Sequence, residues 1–400
     1  MAPRQVYLDN NATTQTAPEV VEAMLPFFKD LYGNPSSMHV FGGQVAQHVT
    51  KAREQVAALL DAQPDEILFT SCGTESDNHA IKGVLEAFPE KRHIVTTKVE
   101  HPAVLNVCRH LGKQGWRVTE LPVDKRGNLD LDRLAAELTP DTALLSVMAA
   151  NNETGTLFPI EKIGAIAREK GVTFHTDAVQ AAGKLPLDMR KLPVDLLSIS
   201  GHKLHAPKGI GVLYIRRGTR IAPFLHGGHQ ERGRRAGTEN VPYIIGLGKA
   251  CELARTELFE ETNRLRQLRD RLQKGLMETI PYTHINGDPD WRLPNTCNLG
   301  FEYIEGEAIL LHLSAAGIAA SSGSACTSGS LEPSHVLMAM EVPFTYAHGS
   351  VRFSLSKYNT DAEIDYVLAT MPGIVQKLRD MSPFYPKDAA RVGSVAQAAG

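Results

Sequence analysis

The sequence offers little that would place the protein in a membrane or on a nucleic acid. No uninterrupted apolar stretch among the 400 residues approaches the roughly 20 that a transmembrane helix needs. Residues 1–7 contain no apolar core of signal-peptide length. The formal net charge is only −3, which gives no electrostatic reason to bind nucleic acid or an anionic membrane. We therefore expect no membrane and no nucleic-acid partner.

Cysteine is also scarce, and its spacing argues against two kinds of site. The five cysteines are an odd number, stand far apart and form no C-x-x-C pair, which disfavours a disulfide framework and a structural zinc site and favours the reducing cytoplasm. Four of them are typical of packing residues: Cys72, Cys108, Cys251 and Cys297. The fifth, Cys326, lies in a run of small residues, 319–330, for which we predict a mobile, exposed loop with a functional thiol.

The length and the apolar pattern predict two domains. A chain of 400 residues exceeds one typical hydrophobic core. Apolar strands alternate with helical patterns from 67 to 200, which predicts an α/β fold with a mostly parallel sheet covered by helices on both faces. We assign 15–260 to this large domain, 1–14 together with 261–383 to a smaller α/β domain, and 384–400 to a flexible tail.

Two helical predictions bear on how these domains are connected. Apolar residues recur at helical spacing from Pro18 to Tyr32, which predicts one helix there. A long, charged helical pattern extends from 236 to 280 and is expected to link the two domains.

Lys203 occupies an unusual position for a lysine. It follows an apolar run that ends near Ser200, has His202 directly before it, and precedes small residues. A solvated surface charge is a poor explanation for this setting. We interpret Lys203 as an amine held ready to form a Schiff base with pyridoxal phosphate.

Two further motifs lie where predicted strands end. Residues 70–76 connect a strand to a helix, and Gly73 there permits close approach of an anion to the first helical N–H groups. Taken alone, this turn is better explained as a Thr/Ser-rich helix cap. With Lys203 also present in the sequence, a phosphate cradle becomes the better explanation. Asp177 can keep a pyridine nitrogen protonated and Gln180 can bond the ring hydroxyl, although His175 and Asp177 also fit a metal-ligand pair or a helix cap.

Two basic residues remain ambiguous when each is taken by itself. His101 follows a strand; it is either structural or a flat group that covers a cofactor ring and moves protons. Arg352 lies inside a β-patterned run, where it either forms a structural ion pair or binds the carboxylate of an amino acid.

Taken together, the motifs resemble those of the cysteine desulfurases, pyridoxal-phosphate enzymes of the class V aminotransferase family, and most of all their nitrogenase-associated form. The resemblance covers residues 6 to about 383. It rests on the motifs at 33–37, 74–76, 100–102, 151–155, 177–180, 200–203, 227–231 and 322–326.

The resemblance implies the type I fold of pyridoxal-phosphate-dependent transferases, with a seven-stranded sheet, and a role for each site residue. Lys203 would form the Schiff base, His101 would stack on the ring and shuttle protons, and Asp177 would pair with the pyridine nitrogen. Cys326 would be the nucleophile that becomes a persulfide. The other implied contacts are Gly73, Thr74, Ser200 and His202 to the phosphate, Thr238 to the phosphate from the second subunit of a homodimer, Gln180 and Asn152 to the ring, and Arg352 with Asn152 to the substrate.

The implied reaction converts L-cysteine to L-alanine and leaves a persulfide on Cys326. The sulfur would go to iron–sulfur cluster assembly for nitrogenase, through a NifU-like scaffold protein with which Cys326 would transiently share iron. Three alternatives stay open: a class V aminotransferase, which needs no thiol; a selenocysteine lyase; and a catalytically silent protein that binds assembly factors. The final sulfur acceptor also stays open, since tRNA thiolation is a further use of a persulfide.

Overall fold

The computed structural model describes residues 5–322 and 333–386 of the chain. Its strands are β1 (Val6–Tyr7), β2 (Ile67–Thr70), β3 (His93–Thr97), β4 (Arg117–Leu121), β5 (Thr142–Ser146), β6 (Thr173–Asp177), β7 (Leu196–Ser200), β8 (Gly211–Ile215), β9 (Thr283–Ile285), β10 (Thr296–Phe301), β11 (Ile318–Ala319) and β12 (Ser350–Ser354). Its helices are α1 (Pro18–Met24), α2 (Pro26–Lys29), α3 (Val40–Leu59), α4 (Gly73–Ala87), α5 (Pro102–Lys113), α6 (Leu131–Glu137), α7 (Ile160–Glu169), α8 (Val241–Thr279), α9 (Gly306–Ala315), α10 (His335–Ala339), α11 (Phe344–His348) and α12 (Asp361–Met381).

A seven-stranded sheet forms the centre of the larger part, in the order β2-β8-β7-β6-β5-β3-β4. All its strands are parallel except β8, which runs antiparallel to both β2 and β7. Side chains alternate between the two faces: in β2, Ile67 and Phe69 pack into one apolar core and Leu68 into another. The predicted mostly parallel seven-stranded sheet is confirmed.

A second, smaller sheet has the antiparallel order β12-β10-β9. Its strands pack against α9, α12 and the second half of α8, in a separate core that includes Leu299, Phe301 and Phe353. The N-terminal strand β1 pairs in parallel with β11 on this side of the molecule. The chain therefore begins and ends its described part in the smaller unit.

Helix α8 is shared by both cores. Its first part buries Val241, Leu247 and Cys251 in the large core, and its later part buries Leu268 and Leu272 in the small one. The helix is unbroken over 39 residues and begins five residues later than predicted, with a proline in its first turn, where a missing N–H costs no hydrogen bond. The proposed domain boundary at residue 260 falls between the two buried stretches and stays a prediction.

The single helix predicted over 18–32 is wrong. The chain forms α1 and α2, which are separated by Leu25 alone. Proline lacks the amide hydrogen that would continue the first helix, so a new helix starts at Pro26 instead. Within residues 5–322 and 333–386, none of the helices combines the length and the apolar character needed to cross a bilayer.

Candidate active site

A cavity of about 300 Å³ opens at the carboxyl ends of the parallel strands, the edge where open α/β sheets bind their ligands. Most of the predicted site residues line it: Gly73, Thr74, His101, Asn152, Asp177, Gln180, Ser200, His202, Lys203 and Arg352. Residues that are far apart in the sequence are thus brought to one place by the ends of β2, β3, β5, β6 and β7, with Arg352 added from β12.

Lys203 ends a tight 3₁₀ turn, Gly201–Lys203, that directly follows β7. The turn is closely packed: a Cβ atom on Gly201 would lie 2.7 Å from a side-chain carbon of Ile210. The Lys203 Nζ donates hydrogen bonds to the backbone oxygens of Asn11 at 2.5 Å and Ala12 at 2.6 Å. The strand and the N-terminal segment together hold the amine at the cavity wall.

The turn between β2 and α4 has the shape of an anion cradle. Helix α4 begins at Gly73 without a side-chain cap, so its first N–H groups remain for another acceptor. A Cβ atom on Gly73 would lie 2.9 Å from Val179 Cγ2 and 3.3 Å from Ser200 Cβ. Glu75 braces the turn, because its carboxylate accepts from the Ser71 amide at 2.7 Å. Glycine therefore lets the start of α4 pack directly against Val179 and Ser200.

Arg235 adds a second brace to the same turn. Its guanidinium donates to both carboxylate oxygens of Glu75, at 2.8 and 3.1 Å. The segment that carries Arg235 also carries Thr238, which lies in a separate surface pocket with Ser71 and Asn240 and does not line the active-site cavity. Within one chain, then, Thr238 is not brought to the site, and its role across a dimer stays a prediction.

Asp177 lies at the end of β6, where its Oδ1 accepts from the Val179 amide at 2.9 Å. Burial raises the pKa of this carboxyl to about 6, against the opposing charge of Lys203. Asp77 is also fully buried, and burial together with the nearby Asp177 raises its pKa well above the ordinary value. A cationic pyridinium beside Asp177 would offset the cost of burying that charge, so the site fits a protonated pyridine ring.

The His175 side chain bonds to neighbouring strands of the central sheet and does not line the cavity. Its ring nitrogens pair with Ser146 Oγ at 2.8 Å and Ser198 Oγ at 2.9 Å, and burial lowers its pKa to about 3. Among the residues that the structure describes, no group of three or more His, Cys, Asp or Glu side chains is arranged to hold a metal ion. His175 is therefore structural, whereas Asp177 lines the cavity and its binding of a cofactor stays a prediction.

Arg352 is almost completely buried, with 1% of its surface exposed. Its guanidinium donates to Asp9 Oδ1 at 2.8 Å and to the backbone oxygen of Asn152 at 3.0 Å. Arg352 thus forms a structural ion pair and also lines the cavity, and its binding of a substrate carboxylate stays a prediction. The ion pair fixes the plane of the guanidinium, which is the group best suited to bind a carboxylate in a bidentate manner.

His101 caps the start of α5. Its Nδ1 accepts from the Ala103 amide at 3.1 Å, so a neutral ring carries its proton on Nε2. Burial and the charges of Lys203 and His335 lower the pKa of His101 to about 4. The imidazole is therefore neutral near pH 7.

Several cavity residues were not predicted. Asp77, Glu153 and His335 all line the cavity. Glu153 accepts a hydrogen bond from Ser334, and burial raises its pKa. The ring of His335 pairs with the backbone oxygen of Glu100 at 3.0 Å. The Asn-Asn-Glu-Thr-Gly motif at 151–155 gave a signal for Glu153, whereas no local pattern distinguished His335.

Cys326 lies outside the described residues, as does the segment 323–332 around it. The described residues on either side of that segment do contact the cavity wall. Ser321 exchanges backbone hydrogen bonds with Arg352, and Ser334 donates to Glu153.

The comparison with protein families agrees with this geometry. Residues 6–367 match the model of the family described as Aminotransferase class-V. The chain belongs to the class V aminotransferase family. Enzymes of this family depend on pyridoxal phosphate, and the glycine cradle, Asp177 and Lys203 give this chain the donors and the space that such a group requires.

Relatives of high sequence identity show to which group within this family the chain belongs. The chain is 63% identical over 379 residues to a cysteine desulfurase of Trichormus azollae, and the alignment covers 95% of each chain. It is 60% identical over 381 residues to the cysteine desulfurase NifS of Azotobacter vinelandii, again covering 95% of each. These relatives confirm the predicted membership among the cysteine desulfurases.

Solved structures lead to the same conclusion about the fold. A NifS-like protein superposes with a TM-score of 0.89 at 44% identity and covers 94% of this chain and 100% of its own. The structure described as SspA in complex with cysteine gives a TM-score of 0.79 at 36% identity, covering 89% and 100%. The predicted fold class is confirmed.

Proposed function

We propose that this protein is a pyridoxal-phosphate-dependent cysteine desulfurase that transfers the sulfur of L-cysteine to the thiol of Cys326 and releases L-alanine. The observation that carries the proposal is the meeting of Lys203, Asp177 and Arg352 in one cavity. An amine, a ring-facing carboxylate and a carboxylate-binding guanidinium are what an enzyme that acts on the α-carbon of an amino acid needs.

The residues that would hold the cofactor are those of the cavity wall. Lys203 would bind it covalently, Asp177 would face the ring nitrogen, and the start of α4 at Gly73 and Thr74, with Ser200 and His202, would hold the phosphate. Gln180 and Asn152 would contact the ring from the side. When bound, pyridoxal phosphate supplies an electron sink that stabilises negative charge on the α-carbon of the substrate.

The chain's own groups then handle the substrate and its protons. Arg352 binds the carboxylate of L-cysteine in the orientation fixed by Asp9. The Lys203 amine accepts the α-proton. The neutral His101 ring can donate its Nε2 proton to the sulfur or to the departing product. Fixed dipoles of the cavity wall strengthen each of these interactions.

The sulfur step needs a thiol, and the cysteines differ in their fitness for it. Burial raises the pKa of Cys108 and Cys251 to about 12 and that of Cys297 to about 11, which leaves these thiols unreactive. We propose that the Cys326 thiolate attacks the substrate sulfur: a sulfur–sulfur bond forms, the carbon–sulfur bond breaks, and the carbon fragment takes up a proton to give L-alanine. The reaction is balanced without an external oxidant. The attachment of both flanks of the Cys326 segment to the cavity wall supports this assignment.

The partners follow from the same reasoning. We infer a homodimer in which Thr238 reaches the phosphate site of the other subunit, since it faces outward on the segment that Arg235 ties to the phosphate turn. A NifU-like scaffold in the cytoplasm is the sulfur acceptor that we propose, with Cys326 sharing iron transiently through its persulfide. The likeness to the Azotobacter vinelandii NifS supports a role in supplying nitrogenase clusters.

Three variants test the proposal. Lys203→Ala should abolish the visible absorbance of bound cofactor. Cys326→Ala should keep that absorbance but lose the formation of L-alanine and sulfide from L-cysteine. Cys108→Ala is the matched control, because Cys108 is a buried thiol that does not line the cavity, so its loss should leave turnover intact. Retained absorbance in the first variant, or normal turnover in the second, would overturn the corresponding assignment.

A further inference from the structure

A second cavity, of about 70 Å³, shares Lys203 with the active-site cavity and is lined by another lysine, Lys184. Its wall is completed by α8 and by the chain after β12. The Lys184 Nζ donates hydrogen bonds to the backbone oxygen of Gln180 at 3.0 Å and to its side-chain Oε1 at 3.4 Å. The function proposed above gives Lys184 no role, although its amine contacts a cofactor-site residue directly.

Lys184 determines which way the Gln180 amide points. At its other end, Gln180 Nε2 donates to the backbone oxygen of Asn11 at 3.0 Å, and the same oxygen accepts from Lys203. A carbonyl only accepts and an ammonium only donates, so these two neighbours permit one orientation of the amide. A continuous path of hydrogen bonds therefore connects Lys184, Gln180, Asn11 and Lys203.

Ionisable groups of both signs face the two lysines. Those in the small cavity are Glu257, Glu261, Lys357 and His205, and those in the large one are Cys72, Asp77, Glu153, Asp177, Arg352, His101, His202 and His335. Glu257 is paired with Lys357 and Glu261 with Arg264, both at 2.9 Å.

His101, His202 and His205 do not contribute charge at neutral pH. Burial, reinforced by the nearby lysines, lowers the pKa of His202 to about 4, and burial lowers that of His205 to about 4 as well. Burial and the charge of Lys203 also lower the pKa of Lys184, to about 7. A lysine next to another cationic group binds its own proton less tightly, so more of it is present at neutral pH as the free amine, the form that can act as a nucleophile.

We propose that Lys184 is a positioning residue for the Schiff-base lysine: it fixes the amide of Gln180 and disfavours positive charge on the Lys203 nitrogen. The inference rests on the proposed function, since it concerns the nitrogen that Lys203 shares with pyridoxal phosphate. In this proposal the small cavity keeps that second positive charge close to Lys203.

The test is a spectrophotometric pH titration of the visible band of the holoenzyme, which reports the proton on the Lys203 nitrogen without turnover. Lys184→Met, which removes the charge at similar volume, should raise the midpoint by about one pH unit, the size of effect that one nearby charge produces. Lys184→Arg keeps the charge throughout the titration and should leave the midpoint at or below that of the wild type. Lys191→Met is the matched control, because Lys191 is an exposed lysine paired with Asp188 at the surface.

The outcomes separate this inference from the function on which it rests. A wild-type protein without a visible band would refute the proposed function itself. A normal band with an unchanged midpoint in Lys184→Met would overturn the role of Lys184 alone, and so would an equal upward shift in Met and Arg variants. If Lys184→Met does not fold, Lys184→Gln removes the same charge while keeping a donor for Gln180. The midpoint of its pH titration should then rise in the same way, and an unchanged midpoint would overturn the role of Lys184.

Discussion

Replacing Glu100 by glutamine would reveal whether a carboxyl next to the active site is protonated in the folded protein. Glu100 is fully buried, and its Oε1 accepts from Thr97 Oγ1 at 2.7 Å and from the Met148 amide at 3.0 Å. Its Oε2 is buried without a hydrogen-bond partner among the described residues. Burial raises the pKa of Glu100 to about 8, although the two hydrogen bonds oppose the rise.

The sign of the effect follows from the direction of this shift. An unfolded glutamate ionises near pH 4.5, so between pH 4.5 and 8 the folded protein retains a proton that the unfolded chain has lost. The unfolding free energy therefore falls as the pH rises through that window, and below it Glu100 contributes no pH dependence. At about 1.4 kcal/mol per pH unit, the loss between pH 5 and pH 8 amounts to about 4 kcal/mol.

Glutamine removes the ionisation and keeps the Oε1 acceptor. Its buried amide hydrogens cost about 1–3 kcal/mol if they find no partner, but that cost is the same at every pH. The change in stability at pH 8 minus the change at pH 5 consequently isolates the ionisation of Glu100. We expect this double difference to favour the Gln variant by about 4 kcal/mol.

The assay is urea unfolding followed by circular dichroism at both pH values. Glu260→Gln, at an exposed position on α8, serves as the control and should show the same small change at each pH. If Glu100→Gln changes stability equally at pH 5 and pH 8, or stabilises more at pH 5, then the carboxyl is ionised in the fold and the reasoning fails.

Three further substitutions test the site and the fold. Arg352→Lys keeps a positive charge but loses the planar fork, so KM for L-cysteine should rise about tenfold or more with the cofactor absorbance unchanged. In Gly73→Ala the new methyl group would lie 2.9 Å from Val179 Cγ2, so a titration of the apoprotein with pyridoxal phosphate should show about tenfold weaker binding; equal affinity would mean that the cradle is not used. Leu272→Ala, in the fully buried small core, should lower the unfolding free energy by about 2–5 kcal/mol, and a loss below about 1 kcal/mol would contradict the packing described.

The fold was predictable because its strands are buried on both faces. Thr142–Ser146 and Leu196–Ser200 are apolar or small along their whole length, which is typical of the inner strands of a sheet that is covered on both faces. The motifs at the ends of such strands necessarily share one edge, so a site formed by Gly73, Asp177 and Lys203 could be inferred without coordinates.

Residues that reach the cavity from elsewhere could not be inferred in this way. Asp77 lies in α4 between two polar residues, Ser76 and Asn78, and nothing in the sequence around it distinguishes a buried acid from a solvated one. His335 enters the site at the start of α10, a helix of five residues that is too short for a periodic signal. The break between α1 and α2 comes directly before Pro26. A proline within a helical pattern can either bend a helix or end it, so the sequence did not decide between one helix and two.

The N-terminal segment 9–12 explains how the two units act as one site. Asp9 holds the guanidinium of Arg352, which belongs to the smaller sheet, while the backbone oxygens of Asn11 and Ala12 hold the amine of Lys203, which belongs to the larger one. The segment is itself anchored to the small unit, because the Asn11 amide donates to Ser354 Oγ at 2.9 Å. An α-amino acid has a fixed separation between its carboxylate and its α-carbon, so a site for it needs a fixed separation between the group that binds the first and the group that acts on the second. Four consecutive residues that contact both groups supply that constraint through a few backbone bonds rather than through the packing of two separate domains.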